Sequence, residues 1–235
     1  MYLSQNTHDP AAVIHSPLAS RASRKPSARS TASMRSTLVS TTEQDPHARL
    51  RYAESGLEQK VLFLLLTHPD IVDVWDQPVP QAFVGQSGKD KHHTFDYLAT
   101  YRSGYRLAIA VKPYAKVVRR GFEVELKQLR KSLCKSFADD IALVTDRDLC
   151  PIQVYNARLT YYQTRCATPS ADHALRSALS LVHGTCSIAD WITLAKSPAQ
   201  GFGAALRLIQ MGVVKMTSHE RLSPSSLICP GCAVQ

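Results

Sequence analysis

Leu57, Val61, Leu64 and Leu65 recur at the spacing of one helical face, and the run stops before His68-Pro69. That spacing predicts an amphipathic helix. Residues 71–75 (IVDVW) follow as a short strand closed by Gln77-Pro78. The stretch 85–91 (GQSGKDK) reads as a loop, and His92 and His93, four and three positions ahead of Asp96, either touch a metal or phosphate or, as expected first, sit on the surface beside it. Residues 94–101 and 105–111 are rich in β-branched and aromatic side chains around Ser103-Gly104, which predicts a hairpin. A second helix spans 118–135, with Phe122, Leu126, Leu129 and Leu133 as its buried stripe. A buried strand at 141–145 precedes a helix carrying Ile152, Tyr155, Leu159 and Tyr162. The order helix, strands, helix, strand, helix predicts an α/β sandwich around a mixed sheet.

Beyond a linker at 164–170 come three helical patterns, at 171–182, 188–195 and 199–211, with Gly212 just past the last. Ser187 caps the second and Ser197-Pro198 opens the third. A strand at 213–217 leads toward a wing, so the pattern predicts a winged helix-turn-helix. Its last helix offers Gln200, Arg207 and Gln210 as exposed polar residues, poor equipment for reading bases. Residues 1–45 are rich in Ser, Thr, Ala and Arg without a sustained period, and are expected to be a disordered basic tail. The expected units are therefore the tail 1–45, an α/β domain 46–166, a winged-helix domain 167–222 and a C-terminal tail 223–235. That last tail holds Cys229-Pro-Gly-Cys232, a zinc-knuckle spacing with no second such pair to complete four ligands.

Composition narrows the partners. A hydrophobic content of 44% over 235 residues supplies an ordinary core. The net charge of +9 and a pI near 9.4 point to an anionic partner, nucleic acid first. No apolar run is long enough to span a bilayer and no secretory leader is expected. Six scattered cysteines are too sparse for a disulfide scaffold and suit a reducing compartment. Lys116, Arg119, Arg120, Lys127, Arg130 and Lys131 crowd one segment, where they would neutralise backbone phosphates or form the solvated face of a helix.

The candidate chemistry is a set of spaced residues. Glu58 opens the first helix, Asp96 sits in the hairpin's first strand, and Lys112 ends its second. A turn near Ser103-Gly104 pairs residues whose numbers sum to about 207, setting Asp96 opposite Val111 or Lys112. Acidic oxygens and one ammonium group converging in this way suit metal-dependent phosphodiester hydrolysis. Ser55-Gly-Leu-Glu58 is equally a capping box, so Glu58 serves either helix or metal. The polar position two before Lys112 is Ala110, which has no oxygen to give. Glu123 and Glu125 lie on the next helix, and Glu125, on the side of Phe122 and Leu129, is the further candidate ligand.

This constellation resembles the core of PD-(D/E)xK nucleases. Residues 49–166 resemble the TnsA endonuclease subunit of heteromeric transposases, on Glu54-Ser-Gly-Leu-Glu58, Trp75-Asp-Gln-Pro78, Asp96, Val111-Lys112, Val144-Thr-Asp-Arg-Asp148 and Asn156. The resemblance implies a restriction-endonuclease-like mixed sheet flanked by helices, followed by a C-terminal winged helix-turn-helix. It implies Glu58 and Asp96 as ligands of Mg²⁺, with Mn²⁺ as substitute, and Lys112 as the catalytic lysine. Where the family carries Gln or Glu, this chain has Ala110. The implied activity is nicking of one strand, the 5′ ends, at transposon ends on double-stranded DNA. A DDE-type transposase and an ATPase regulator would be partners, in a bacterial cytoplasm at the nucleoid. The alternative is a catalytically impaired adaptor that keeps the fold and its contacts.

Overall fold

The computed structural model describes residues 16–24, 34–85, 87–165, 168–197 and 199–231. A hairpin of β1 (Ser36–Ser40) and β2 (Arg49–Ala53) leads into helix α1 (Gly56–Thr67). Strand β3 (Ile71–Asp76) follows, then a small hairpin of β4 (Gln81–Val84) and β5 (Asp90–His93). Next come β6 (Tyr97–Tyr101), β7 (Arg106–Val111), α2 (Tyr114–Arg120), α3 (Phe122–Ser132), β8 (Asp140–Val144) and α4 (Pro151–Thr164). The central sheet has four strands in the order β3-β6-β7-β8. The first two pairings are antiparallel and β7 with β8 is parallel, α2 and α3 making the crossover. The sheet is therefore mixed and flanked by helices, as the periodicity predicts.

Alternation along the strands sends side chains to opposite faces. Val74, Tyr97, Ala99, Ile109 and Val111 pack under α1 and α4 with Leu62, Phe63, Ala157 and Tyr161. Leu98, Ala108, Ala110 and Ile141 face the other way, into a second core with Phe95, Val117, Phe122, Leu126 and Leu129.

Several expectations are corrected. The helix expected over 118–135 is two helices, because Gly121 at φ 59° is left-handed and its N–H closes on the carbonyls of Val117 and Val118. The loop expected over 85–91 is largely the turn of the β4–β5 hairpin, and His93 is buried in β5 rather than exposed. The tail is also ordered in part. Residues 1–15 and 25–33 lie outside the described residues, but 16–24 form a strap across the sheet and 36–40 form β1. Ser20 Oγ donates to Asp76 Oδ2 at 2.7 Å, Arg21 Nη2 to Asp73 Oδ2 at 2.7 Å, and Trp75 Nε1 to Arg21 O at 2.7 Å. These bonds supply the order that the strap's few apolar residues cannot.

Beneath the strap Arg51 is fully buried. Its guanidinium bonds Ser40 Oγ at 2.7 Å, Asp45 Oδ2 at 3.2 Å and the carbonyl of Val74. Burial lowers its pKa from the ordinary arginine value, and the charges of Asp73, Asp76 and Asp45 oppose that. Tyr161 of α4 fastens the hairpin from outside: its hydroxyl donates to Val39 O at 2.7 Å and accepts from Val39 N at 3.1 Å.

The C-terminal unit holds α5 (Pro169–Ala178), β9 (Cys186–Ser187), α6 (Ile188–Leu194), α7 (Gly201–Gln210), β10 (Val214–Met216) and β11 (Leu227–Pro230). Its three-stranded sheet has the order β10-β11-β9. The C-terminal boundary shifts accordingly: the stretch expected as a tail from 223 contains β11, whose Ile228 is fully buried. Cys232 of the CPGC motif lies outside the described residues. Helix α7 is no exposed reading helix. Residues from Ala204 to Leu208 are buried, and Arg207, expected on the surface, is buried with Nη2 on Asp172 Oδ1 at 2.6 Å. Asn156 of α4 ties this unit to the first, donating to Glu220 O at 2.9 Å and accepting from Leu222 N at 2.8 Å. Among the described residues, no helix is long and apolar enough to cross a membrane.

Candidate active site

A cavity of about 750 Å³ opens where the N-terminus of α1, the start of β6 and the end of β7 meet. Glu58, Asp96 and Lys112 all line it, so the sequence-predicted residues do converge. The hairpin register differs by one from expectation. Tyr97 pairs with Ile109 and Leu98 with Ala108, and Asp96, just before the paired ladder, falls beside Ile109 rather than opposite Val111 or Lys112. The cause is the turn: Tyr101 N bonds Tyr105 O, leaving a three-residue loop whose Gly104 is left-handed at φ 85°. Asp96 still reaches its neighbour, since Oδ2 accepts from Val111 N at 2.6 Å while its own N–H donates to Ile109 O at 2.9 Å. These bonds fix the carboxylate.

Glu58 is both cap and cavity wall. Oε2 accepts from Glu54 N at 2.7 Å and Oε1 from Ser55 Oγ at 2.9 Å, while Ser55 Oγ accepts from Glu58 N at 3.1 Å. The capping box is therefore made. Burial pushes the Glu58 carboxyl above its ordinary value, against the bonds from Glu54 and Ser55 and the charge of Lys112. For Asp96 the same effect is larger. Burial first and the nearby Glu58 second push it up to about 7, with Val111 N–H, Lys112 and Arg24 opposing. Lys112 continues the sheet ladder, N–H to Val144 O at 3.0 Å, and its Nζ rests 4.6 Å from the centre of the Phe122 ring.

Ala110 is fully buried among the side chains of the second core and leaves no oxygen in the cavity. The facing wall carries Glu125, as its helical position predicts, while Glu123 is exposed. Glu125 Oε1 lies 3.7 Å from His93 Nδ1, too far for a hydrogen bond. Burial and the charge of Lys112 push His93 down to about 4, so its ring is neutral at pH 7, and its buried Nε2 has no partner.

Of the basic residues proposed for phosphate contact, Lys116 and Arg120 line the cavity. Arg119, Lys127 and Lys131 are exposed but do not line it. Arg130 is engaged with β8, Nη2 donating to Ile141 O at 2.6 Å. The sequence offered no sign of Arg24 or Arg35 in this cavity, and it marked His93 only through its closeness to Asp96, with a surface position expected. The first two sit in the stretch without periodicity, and His93 is in a polar hairpin.

Among the described residues no group of three or more His, Cys, Asp or Glu is disposed to hold a metal ion. The carboxylates that could serve as donors are Glu58 and Asp96, whose mutual repulsion a cation would relieve. Magnesium keeps much of its water and is commonly held by one or two carboxylates plus substrate phosphate, so the pair fits it chemically. The chain matches no protein-family model, and no curated protein matches it.

Proposed function

We propose that this chain is a metal-dependent DNA endonuclease subunit of the TnsA type. It would have a restriction-endonuclease-like nuclease domain followed by a winged helix-turn-helix. The carrying observation is that Glu58 of α1, Asp96 at the entry to β6 and Lys112 at the exit of β7 come into one cavity, beside Lys116 and Arg120. In this reading Glu58 and Asp96 hold Mg²⁺ or Mn²⁺, which when bound supplies Lewis-acid charge at the scissile phosphate and an acidified water. The phosphodiester lies between the carboxylates and the basic side of α2. Lys112 Nζ, beside the Phe122 ring, donates to oxygens on which negative charge develops as water attacks phosphorus and the bridging oxygen leaves. The backbone bonds to both carboxylates keep them oriented without reorganisation. The substrate would be double-stranded DNA at transposon ends, nicked on one strand at the 5′ ends. A DDE-type transposase and an ATPase regulator would act alongside, in the cytoplasm at the nucleoid.

Ala110 favours a second reading, a non-cleaving adaptor that keeps the same surfaces. One experiment separates them: Mg²⁺- or Mn²⁺-dependent nicking of labelled transposon-end DNA with transposase present, wild type against Asp96→Asn and Lys112→Ala. Nicking lost by at least a hundredfold in both variants supports the nuclease. No nicking by any protein, with DNA still bound, establishes the adaptor.

A further inference from the structure

The N-terminal strap reaches the cavity rim at Arg24. Its backbone is pinned by Ser23, whose N–H donates to Gln77 O at 2.8 Å and whose Oγ donates to Pro78 O at 3.0 Å. The next residue, Arg24, lines the cavity. Its guanidinium forks onto Glu54, Nη1 to Oε1 at 3.1 Å and Nη2 to Oε2 at 2.8 Å. The side chain nevertheless remains 50% exposed, and its charge acts on Asp96. Lys116 and Arg120 reach the same cavity from α2, so cations come to the carboxylates from two separate elements. A planar fork that grips a carboxylate grips a phosphate equally well.

We propose that Arg24 is a phosphate-holding residue of this site: the strap delivers it to a DNA backbone phosphate, and Glu54 parks it in the free protein. This rests on the nuclease reading, and adds to it a substrate contact from outside the α/β domain proper. Transfer exchanges one bidentate partner for another of like charge. The exposure of Arg24 lets it reach the phosphate without disturbing the pinned backbone at Ser23.

The test measures binding of a DNA duplex to the full chain across a salt series, for wild type, Arg24→Ala, Glu54→Gln and the double variant. Each phosphate contact contributes close to one unit to the slope of log K against log salt. Arg24→Ala is expected to weaken binding about three- to tenfold near 0.1 M salt and to lower the slope by about one. Glu54→Gln, which releases the guanidinium, is expected to tighten binding, and that gain should shrink in the double variant. If the pair merely fastens the strap, both single variants lower the melting temperature together and neither moves the slope. Such a result overturns the proposal while leaving the nuclease reading intact. Absence of salt-dependent binding by wild type overturns both.

Discussion

Asp96 carries the charge state on which this site depends. In the folded protein it keeps its proton up to about pH 7, whereas in the unfolded chain it loses it near the ordinary carboxylate value of 3.8. Protonation therefore favours the fold at low pH, and that advantage is lost as the pH rises through the folded value. Without divalent cations, Asp96→Asn should stabilise the protein at pH 8 by up to roughly 4 kcal/mol, and the gain should shrink as the pH approaches 4. Urea denaturation of both proteins at the two pH values measures this, and equal midpoints at pH 8 would refute it. Millimolar Mg²⁺ should raise the wild-type midpoint at pH 8 and leave Asp96→Asn unmoved, because the cation would bind through the ionised pair.

At the scale of elements, Gly121 sets the angle between α2, which carries Lys116 and Arg120 to the cavity, and α3, which carries Glu125. A Cβ there would meet no neighbouring atom, so replacement costs only the left-handed backbone. Gly121→Ala should cost about 1–2 kcal/mol and Gly121→Asn less, read as shifts in the urea midpoint. An unmoved midpoint for the alanine would mean that α2 and α3 can join as one helix. The elements legible in the sequence were the runs of apolar and β-branched residues bounded by turn signals, namely α1, β3, β6, β7, β8 and α4, and the helices α5, α6 and α7. Glu58 lies on α1, Asp96 just before β6 and Lys112 just after β7, which is why the centre of the site could be read. The hairpin β4–β5 was not legible, because Gln81–Val84 and Asp90–His93 are short and the second is polar. The strap escaped for a different reason. Its order comes from Asp73, Asp76 and Trp75, residues more than fifty positions away, and no local pattern records such partners.

Across the whole molecule, one amide side chain bears much of the polar link between the two units. Asn156 satisfies a carbonyl and an N–H of the segment after β10, and Cys150 at the head of the same helix lies 3.4 Å from His219. Asn156→Ala would leave Leu222 N–H without this acceptor, at a cost of about 1–3 kcal/mol. Proteolysis within residues 217–223 should accelerate in that variant while the α/β domain keeps its midpoint. Unchanged cleavage would show that burial of α7 alone holds the units together. The Tyr161 hydroxyl has a different kind of consequence. A hairpin with an open outer edge is a template for the strands of other molecules, and such pairing grows into aggregates. By engaging both the amide and the carbonyl of Val39, this phenol occupies the outward hydrogen-bonding groups of the fourth residue of β1. The bond that fastens the hairpin to α4 thus also keeps copies of the chain from zipping together along it.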